Sequence, residues 1–324
     1  MFLSRKHPNL LLIVAISVLL VSCGKKQKEP LRIGLNPWPG YQLINLAHEL
    51  KLFEEYDVDV EIVDLMSNGE VNRIYELGYI DIAGSTLTDL VKIRINSENE
   101  PAVFYICDYS NGADVIISKN NRSELSDLKG KRIGADVGAL DYIHLLSALE
   151  YYDMEVDDVQ VVPMRQTAMI QAMSKGKIDA AVTYPPVSNQ LLQNDPELHS
   201  IFDTSKIPGV IIDVLVAEPE TLTEREEEII RFTGALKAAH QHFLRNRKPS
   251  IEIMAHYAGL STKEFEEALS GIAMIEPEKQ ILLLEGGTLL PATIRKAFDL
   301  YNLDPDFAKL KSMFTPSILQ KLEE

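Results

Sequence analysis

The sequence predicts an α/β protein made of two doubly wound lobes. Short apolar strand segments alternate with short amphipathic helical segments, which is typical of a mostly parallel sheet with helices on both faces. The alternation starts again after the turn "NGAD", and two motifs recur in the same order. Arg32-Ile33-Gly34 returns as Arg132-Ile133-Gly134, and Ile80-Asp81 returns as Ile178-Asp179. A duplicated unit explains the repeats, although any two α/β layers share part of the pattern.

Local signals justify the elements of the first half. Leu43, Leu46, Ala47 and Leu50 have the spacing of one helix face after the Pro- and Gly-rich turn "PWPG". "SNGE" has capping-box spacing at the start of the next helix. In order, we predict a strand at 31–36, a helix to residue 50, a strand at 58–65, a helix at 68–77, a strand at 79–84, a helix after residue 86 and a strand at 102–110.

The second half repeats this order and then becomes helical. Met169, Ala172 and Met173 form the apolar face of one short helix, which Gly176 ends. Acidic residues crowd the start of a long helix near residue 223, as the helix dipole favours. The predicted strands are at 114–118, 131–136, 156–164, 177–184 and 210–219, the helices between them are at 137–152 and 166–176, and helices follow at 223–246, at 261–272 and up to residue 322.

Residues 1–22 are predicted to be a signal peptide. Basic residues precede an apolar run, Leu10 to Val21 apart from Ser17, which is too short to span a bilayer as a stable helix. The run ends in "LVSC", which resembles a bacterial lipobox, so Cys23 is the predicted lipidation site. The alternative is a plain signal peptide followed by chance by a cysteine. Residues 23–30 are then the lipidated cysteine and a polar tether.

Composition excludes several classes of function. The 324 residues include 48 acids against 32 Lys and Arg, a formal charge of −16, which disfavours nucleic acid as a partner. Cys107 is the only other cysteine, so no disulfide is expected within the mature fold, and its apolar surroundings predict a buried residue rather than a nucleophile. No set of His and Cys has the spacing of metal ligands, and we predict neither a metal nor a cofactor.

Six segments, taken in order, resemble one family. They are "IGLNPWPGYQLINLAHELKLF", "GYIDIAGSTLTDL", "DYSNGAD", "LKGKRIGADVGALDYIHL", "GKIDAAVTYPPV" and "IPGVIIDVLVAEPE". From about Leu31 to Lys248 the chain is similar to the solute-binding proteins of ABC importers for nitrate, taurine, aliphatic sulfonates and thiamine pyrimidine precursors. The resemblance implies a type II periplasmic-binding fold with a two-strand hinge. Lobe one is then 31–110 plus 219–324, and lobe two is 111–218.

The ligand of such a fold is expected outside the carboxyl ends of the strands, between the lobes. In lobe one, Trp38 and Tyr41 offer rings suited to a heterocycle or a cationic amine, or they pack the loop. Ser85 and Thr86 offer hydroxyl and backbone N–H groups to an oxyanion, which is compatible with simple helix capping. These residues and those of the other lobe form the predicted site.

In lobe two, Gly138 and Ala139 offer backbone N–H groups, and Tyr184 is a lid or wall residue. Asp108, Asn111 and Asp213 fall in or near the two crossing strands. Asp213 interrupts the apolar run "GVIIDVLVA", where a buried acid needs a partner. That partner is either an amine of the ligand or a hydrogen bond within the hinge.

The predicted function is capture and delivery, not catalysis. A monomeric protein, lipid-anchored on the outer side of a bacterial membrane, binds a small organic solute (a sulfonate, an amine or a pyrimidine-type heterocycle) and passes it to an ABC permease and ATPase. The acids near the cleft favour a solute with a positive or amine-bearing part over a simple anion such as nitrate, while the helix starts suit an anionic part equally well, and a zwitterion or heterocycle would use both. Two alternatives stay open: a lipoprotein that reports its ligand to a membrane sensor, and a biosynthetic enzyme on the same fold.

Overall fold

The computed structural model describes residues 29–96, 100–119, 121–285, 289–301 and 312–323. Internal contacts separate residues 1–30, of which only Glu29 and Pro30 are described, from Leu31–Glu324, to which everything below refers. The predicted signal peptide, Cys23 and most of the tether lie outside the described residues. None of the helices within these ranges combines the length and the apolar composition needed to cross a membrane.

Two separate sheets form the framework. Their strands are β1 (Leu31–Leu35), β2 (Val60–Asp64), β3 (Ile82–Thr86), β4 (Ala102–Ser110), β5 (Val115–Lys119), β6 (Arg132–Ala135), β7 (Gln160–Pro163), β8 (Ala180–Thr183), β9 (Leu198–Asp203), β10 (Ile212–Ala217) and β11 (Ile272–Met274). The first sheet has the order β11-β4-β10-β3-β1-β2, and the second has the order β7-β6-β8-β5-β9. The two-lobe α/β prediction is therefore confirmed.

Helices cover both sheets. They are α1 (Gln42–Glu49), α2 (Leu52–Glu55), α3 (Asn68–Glu76), α4 (Leu87–Asn96), α5 (Leu140–Tyr151), α6 (Gln166–Ser174), α7 (Val187–Asn194), α8 (Pro219–Glu224), α9 (Glu226–Arg245), α10 (Arg247–Ala258), α11 (Thr262–Ser270), α12 (Gln280–Leu284), α13 (Leu289–Leu300) and α14 (Ser317–Glu323). The long α9 packs on the first lobe, where Phe232 stacks on Phe53 of α2 with ring centroids 5.5 Å apart. This contact places α9 on the first lobe.

The chain passes between the sheets twice, once between β4 and β5 and once between β9 and β10. In the first sheet, β10 pairs antiparallel with both β3 and β4, with Asp213 opposite Thr86 and Asp108. The second lobe therefore ends before Ile212, and the predicted boundary at residue 218 is too late. The apolar run that contains β10 does not itself show which of the two sheets it joins.

Hydrogen bonds clamp the two crossings together. Ser110 Oγ lies 2.6 Å from Thr204 Oγ1, and the Gly112 N–H donates to the same Thr204 oxygen at 2.8 Å. The Thr204 N–H donates to the Asp114 carbonyl at 3.1 Å. These bonds join the start of lobe two to its end, which is the place of a hinge in a two-lobe protein.

The sequence repeat has a structural counterpart in each lobe. In the first, the Arg32 N–H donates to Asp81 Oδ2 at 2.8 Å, and the Asp81 N–H donates back to the Arg32 carbonyl at 2.8 Å. In the second, the Arg132 N–H donates to Asp179 Oδ2 at 3.1 Å, and the Asp179 N–H donates back at 2.7 Å. Both guanidinium groups also bind these carboxylates. The repeat thus holds neighbouring strands together at their amino ends, away from the cleft.

We expect Asp179→Asn to destabilise the second lobe by about 1 kcal/mol, the usual size of a partly exposed ion pair. Burial raises the pKa of Asp179, but hydrogen bonds and charge from Arg132 outweigh it, so the pKa lies below its ordinary value. The stabilisation is therefore present at neutral pH and lost as the pH falls through the folded-state pKa. Urea unfolding at pH 7 and pH 3 measures both effects, with exposed Asp157→Asn as control. Equal stability of Asp179→Asn and wild type at pH 7 would contradict this role.

Candidate ligand-binding site

A small cavity, partly open to solvent, lies between the lobes at the hinge. Its empty volume is about 200 Å³, and both lobes and both crossings contribute to its wall. Part of this space is open to solvent, and the remainder holds about one water molecule, so a solute enters only when the lobes or the lining side chains move apart. The lining residues are Asn36, Trp38, Asn68, Asp114, Leu140, Tyr184, Ile211 and Asp213.

The loop after β1 places Trp38 in the cavity wall. Pro39 starts a short 3-10 helix, Pro39–Tyr41, so the chain turns sharply directly after Trp38. The indole N–H lies 3.3 Å from both carboxylate oxygens of Asp108 on β4. Gly40 is required for this approach, because a Cβ there would lie 1.8 Å from Asp108 Oδ2. Asp108 thus fixes the indole from behind and leaves the ring to face the cavity.

Asp213 forms part of the cavity floor. The Tyr41 hydroxyl lies 2.8 Å from Asp213 Oδ1 and 2.9 Å from the Ser85 carbonyl. A single hydroxyl proton serves these two acceptors, so Asp213 is only partly satisfied when ionised. Asp213 Oδ2 accepts no N–H or hydroxyl proton within the described part of the chain, but the Asp213 carboxyl lies within hydrogen-bond reach of the Asp108 carboxyl and can share a proton with it. An N–H group of a ligand would complete this shell.

The floor carries an excess of carboxyl groups. Burial raises the pKa of Asp213, and the nearby Asp108 and Asp114 carboxylates raise it further. Burial also raises the pKa of Asp108, although the Trp38 N–H opposes this, and it raises the pKa of Asp114 to about 7. Three neighbouring buried acids cannot all be ionised cheaply without a counter-charge. The floor therefore favours protons or a cationic ligand.

The start of α3 closes the cavity from lobe one. Ser67 caps the helix by accepting the Glu70 N–H, and Asn68 is the first helical residue. The Asn68 N–H donates to the Tyr184 hydroxyl of lobe two at 3.2 Å. The Asn68 side chain accepts from Asn72 Nδ2 at 3.0 Å through its Oδ1. Its Nδ2 has no partner among the described residues and belongs to a cavity-lining side chain.

Two aromatic rings meet edge to face in the lining of the cavity. Tyr184 lies edge-on to Trp38, with ring centroids 6.0 Å apart and an interplanar angle of 85°. Leu140, at the start of α5, adds an apolar surface from lobe two. Trp38 and Tyr184 thus provide two ring surfaces set nearly at right angles, an arrangement that suits a small planar or cationic group.

The polar groups of the lining are largely without partners. Asn36 Oδ1 and Asp114 Oδ2 are acceptors with no hydrogen-bond partner in the described ranges, and Asn68 Nδ2 is such a donor. Asp213 Oδ2 has only the neighbouring Asp108 carboxyl beside it. Buried polar atoms are nearly always paired in folded proteins. Two open acceptors and one open donor, beside the Asp108–Asp213 pair, are therefore a binding pattern for a ligand that offers both N–H groups and an acceptor.

The lobes are in contact beyond the cavity. Arg165 Nη1 lies 3.3 Å from Glu70 Oε1, and Lys92 Nζ donates to the Val137 carbonyl at 2.9 Å. An opening of about 370 Å³ next to the ion pair is lined by Ser67, Gly69, Glu70, Arg73, Asp136, Gly138 and Arg165. The structure thus shows the lobes closed over the cavity.

Three of the ten residues predicted for ligand contact line the cavity: Trp38, Tyr184 and Asp213. Tyr41 and Asp108 lie directly behind them and hold Asp213 and Trp38 in place. These five residues form one connected group.

The other predicted residues do not line the cavity. The Ser85 hydroxyl donates to Asn72 Oδ1 at 2.7 Å, and Thr86 Oγ1 accepts the Asp89 N–H at the start of α4. Both hydroxyls are therefore used within lobe one, as the capping alternative for this pair implies.

Three further predicted residues lie elsewhere. The Gly138 N–H donates to Asp136 Oδ1 and the Ala139 N–H to the Asp136 carbonyl, so neither is bare. Gly138 borders the outer opening instead. Asn111 is exposed, and its N–H donates to the Gly271 carbonyl.

Asn36, Asn68, Asp114, Leu140 and Ile211 also line the cavity and were not among the predicted ligand contacts. Asp114 belongs to the turn "NGAD" and Asn68 to the capping sequence "SNGE". Both residues have ordinary local roles for their types. They differ from other residues of these types only in position: Asp114 lies where the chain crosses between the lobes, and Asn68 lies at a helix start that faces the other lobe.

Comparison with known proteins places the chain among binding proteins. The family model described as "NMT1/THI5 like" matches residues 38–248. A protein of Brucella abortus (strain 2308) named only as a binding protein is 24% identical over 297 residues, which cover 89% of this chain and 88% of that protein. The taurine-binding periplasmic protein of Escherichia coli (strain K12) is 22% identical over 240 residues, 72% of each chain.

The fold has close counterparts among solved structures. The periplasmic aliphatic sulphonate binding protein SsuA from Escherichia coli superposes with a TM-score of 0.71 at 16% identity, covering 90% of this chain and 99% of that one. The periplasmic-binding fold implied by the sequence resemblance is thus confirmed.

Proposed function

The chain belongs to the NMT1/THI5-like family, and from this premise we propose that it is the solute-binding protein of an ABC importer. It captures a small organic solute between its lobes and delivers it to a permease. The relatives named as periplasmic binding proteins support an extracytoplasmic place for this chain. The lipobox-like "LVSC" supports attachment to the membrane through Cys23.

One observation carries the proposal: the cavity at the hinge is walled by both lobes, and Asn36 Oδ1, Asn68 Nδ2 and Asp114 Oδ2 in its lining have no partner among the described residues. Trp38 and Asp213 come from the first sheet and its loops, and Tyr184 comes from the second lobe. A ligand that touches all three has contacts in the closed form that the open form lacks. Such a difference is what allows a ligand to favour closure.

The acids select among the three solute classes. A sulfonate brings oxygen acceptors and negative charge to a floor that already holds Asp108, Asp114 and Asp213, so like charges meet in a dry site. An amine or an amino-substituted heterocycle brings the missing N–H groups. We therefore assign the site to an amine-bearing solute, with Trp38, Tyr184, Asp114 and Asp213 in direct contact. Taurine, for which one relative is named, carries an amine beside its sulfonate, whereas an aliphatic sulphonate need not; the acids of this floor favour a solute that has the amine.

The cavity supports binding without chemistry. Asp108 accepts a hydrogen bond from the Trp38 indole N–H, and Asp213 accepts one from the Tyr41 hydroxyl. Neither partner is a general base or a nucleophile. If the protein were an enzyme, the bound compound would be converted into a product. A sensor would bind the same ligand but copurify with a signalling membrane protein instead of a permease.

A thermal-shift screen of the body from Gly24 onward tests the proposal. The panel contains aliphatic and aromatic amines, aminopyrimidines, thiamine precursors, flavins, taurine, other sulfonates and nitrate. Ligand at a hundred times its Kd stabilises the fold by about 2.7 kcal/mol, which raises Tm by roughly 5 °C or more. We expect an amine-bearing compound to give this shift. A shift only with sulfonates that lack an amine, or only with nitrate, would contradict the ligand class, and unchanged Tm with every compound would count against capture itself.

A further inference from the structure

We infer that Asn68 determines the specificity of the cavity: the solute presents N–H groups to Asp114 and Asp213 at the hinge and a hydrogen-bond acceptor to Asn68 at the start of α3. This inference rests on the proposed capture function and adds the second half of the ligand's chemistry. It concerns one side chain whose free donor stands among free acceptors.

The orientation of the Asn68 amide is fixed by a chain of hydrogen bonds. Asn72 Nδ2 donates to Asn68 Oδ1 and to Asp89 Oδ2, both at 3.0 Å. Asn72 Oδ1 accepts from Ser85 Oγ at 2.7 Å. If the Asn68 amide were flipped, its NH₂ group would face the NH₂ group of Asn72, and two donors would meet. If the Asn72 amide were flipped instead, its oxygen would face the Asp89 carboxyl, and two acceptors would meet. Asn68 Nδ2 is therefore the atom left for the ligand.

This chain explains why Ser85 and Thr86 matter although they do not line the cavity. Ser85 fixes Asn72 directly, and Thr86 fixes Asp89 by accepting its N–H at 3.2 Å. Asn72 is 7% exposed and Asp89 is 1% exposed, so water does not compete for these bonds. Asn72 is thus a positioning residue for Asn68.

Asn68 also joins recognition to closure. Its backbone N–H binds the Tyr184 hydroxyl of lobe two, while its side-chain donor belongs to the cavity lining. A ligand acceptor held by Nδ2 restrains the same residue that contacts the opposite lobe. A ligand without an acceptor satisfies the floor but leaves a buried amide donor unpaired, which is costly.

The inference is testable with a matched pair of amines. Benzylamine and the aminomethylpyridines have the same size and the same amine, but only the pyridines carry a ring acceptor. Isothermal titration, with emission of Trp38 as a second readout because it is the only tryptophan, gives their Kd values. We expect the best pyridine isomer to bind about tenfold more tightly than benzylamine, which corresponds to one well-made hydrogen bond.

Variants separate specificity from general damage. Asn68→Ala is expected to bring the benzylamine-to-pyridine Kd ratio close to one while leaving benzylamine affinity within about threefold. Asn72→Ala should lower the ratio in the same direction, an effect that a purely structural loss would not produce. Asn194→Ala, at an exposed position of α7, should keep the wild-type ratio.

Failure of this inference differs from failure of the proposed function. Equal affinity of wild type for benzylamine and every pyridine isomer, an unchanged ratio in Asn68→Ala, or no binding of either amine would overturn the role of Asn68. In the first two cases amine binding persists, so capture stands. In the third, a hit elsewhere in the thermal-shift panel leaves capture intact, whereas no hit removes both.

Discussion

Asp213→Asn will weaken binding of an amine solute by roughly a hundredfold or more. Asp213 lines the cavity, is 3% exposed, and has the buried Asp108 carboxyl as its neighbour, so a cationic ligand would relieve the repulsion between the two acids. Removing one member of a buried charged pair costs about 3–5 kcal/mol, because the remaining charge is left uncompensated. Titration calorimetry with the best amine from the panel measures the loss. The Tyr41 hydroxyl can still donate to Asn Oδ1, so the wall behind the site is kept.

The same variant should be more stable than wild type when no ligand is present. The pKa of Asp213 is raised in the fold, so the folded state holds a proton that the unfolded chain has lost, and stability falls as pH rises through that interval. Asparagine removes this cost. At pH 8 we expect a gain on the order of 1–3 kcal/mol, the usual cost of an unpaired buried polar group.

A matched control separates charge from position. Glu220→Gln removes one acid at an exposed site at the start of α8 and should change neither affinity nor Tm. Loss of both stability and binding in Asp213→Asn would show that Asp213 serves the hinge, the second alternative raised by its place in an apolar strand. Gain of stability with loss of binding is the signature of a ligand-binding acid.

Most of the fold could be predicted because its signals are local. Apolar periodicity and capping residues define single elements, and each was read from a window of a few residues. The Arg32–Asp81 and Arg132–Asp179 contacts show that even a short repeat carried spatial information. The predicted lobe boundary at residue 218 was wrong because its position depends on long-range contacts rather than on local signals. Whether β10 joins the first or the second sheet depends on partners more than a hundred residues away.

Site residues could be predicted where the residue type is unusual for the segment that contains it. Asp213 interrupts a buried strand, and Trp38 stands between two prolines in a loop. Asn68 and Asp114 conform to the local preferences of a helix start and a turn, so no local rule marks them. Ser85 and Thr86 show the converse case. Hydroxyls at a strand end are chemically able to bind a ligand, but neighbouring Asn72 and Asp89 satisfy them first.

Amine affinity will fall as the pH drops below 7, by about tenfold per pH unit. Burial raises the pKa of Asp114 to about 7, and Asp114 Oδ2 is open to the cavity. A protonated amine binds the ionised carboxylate, so each unit below the pKa of the free site requires removal of one proton at a cost of about 1.4 kcal/mol. Titrations between pH 8 and pH 5.5 give the slope. Protonation of Asp213 and Asp108 in the same range would steepen it.

Stability of the ligand-free protein should change in the opposite direction. An acid with a raised folded-state pKa binds its proton more tightly in the fold, so stability rises as pH falls from about 7 toward the unfolded value near 4. Asp114→Asn should flatten both trends, and Glu220→Gln should leave both as in wild type. A pH-independent Kd for the amine would mean that Asp114 stays un-ionised in the complex, and the assignment of the floor to a cationic group would then fall.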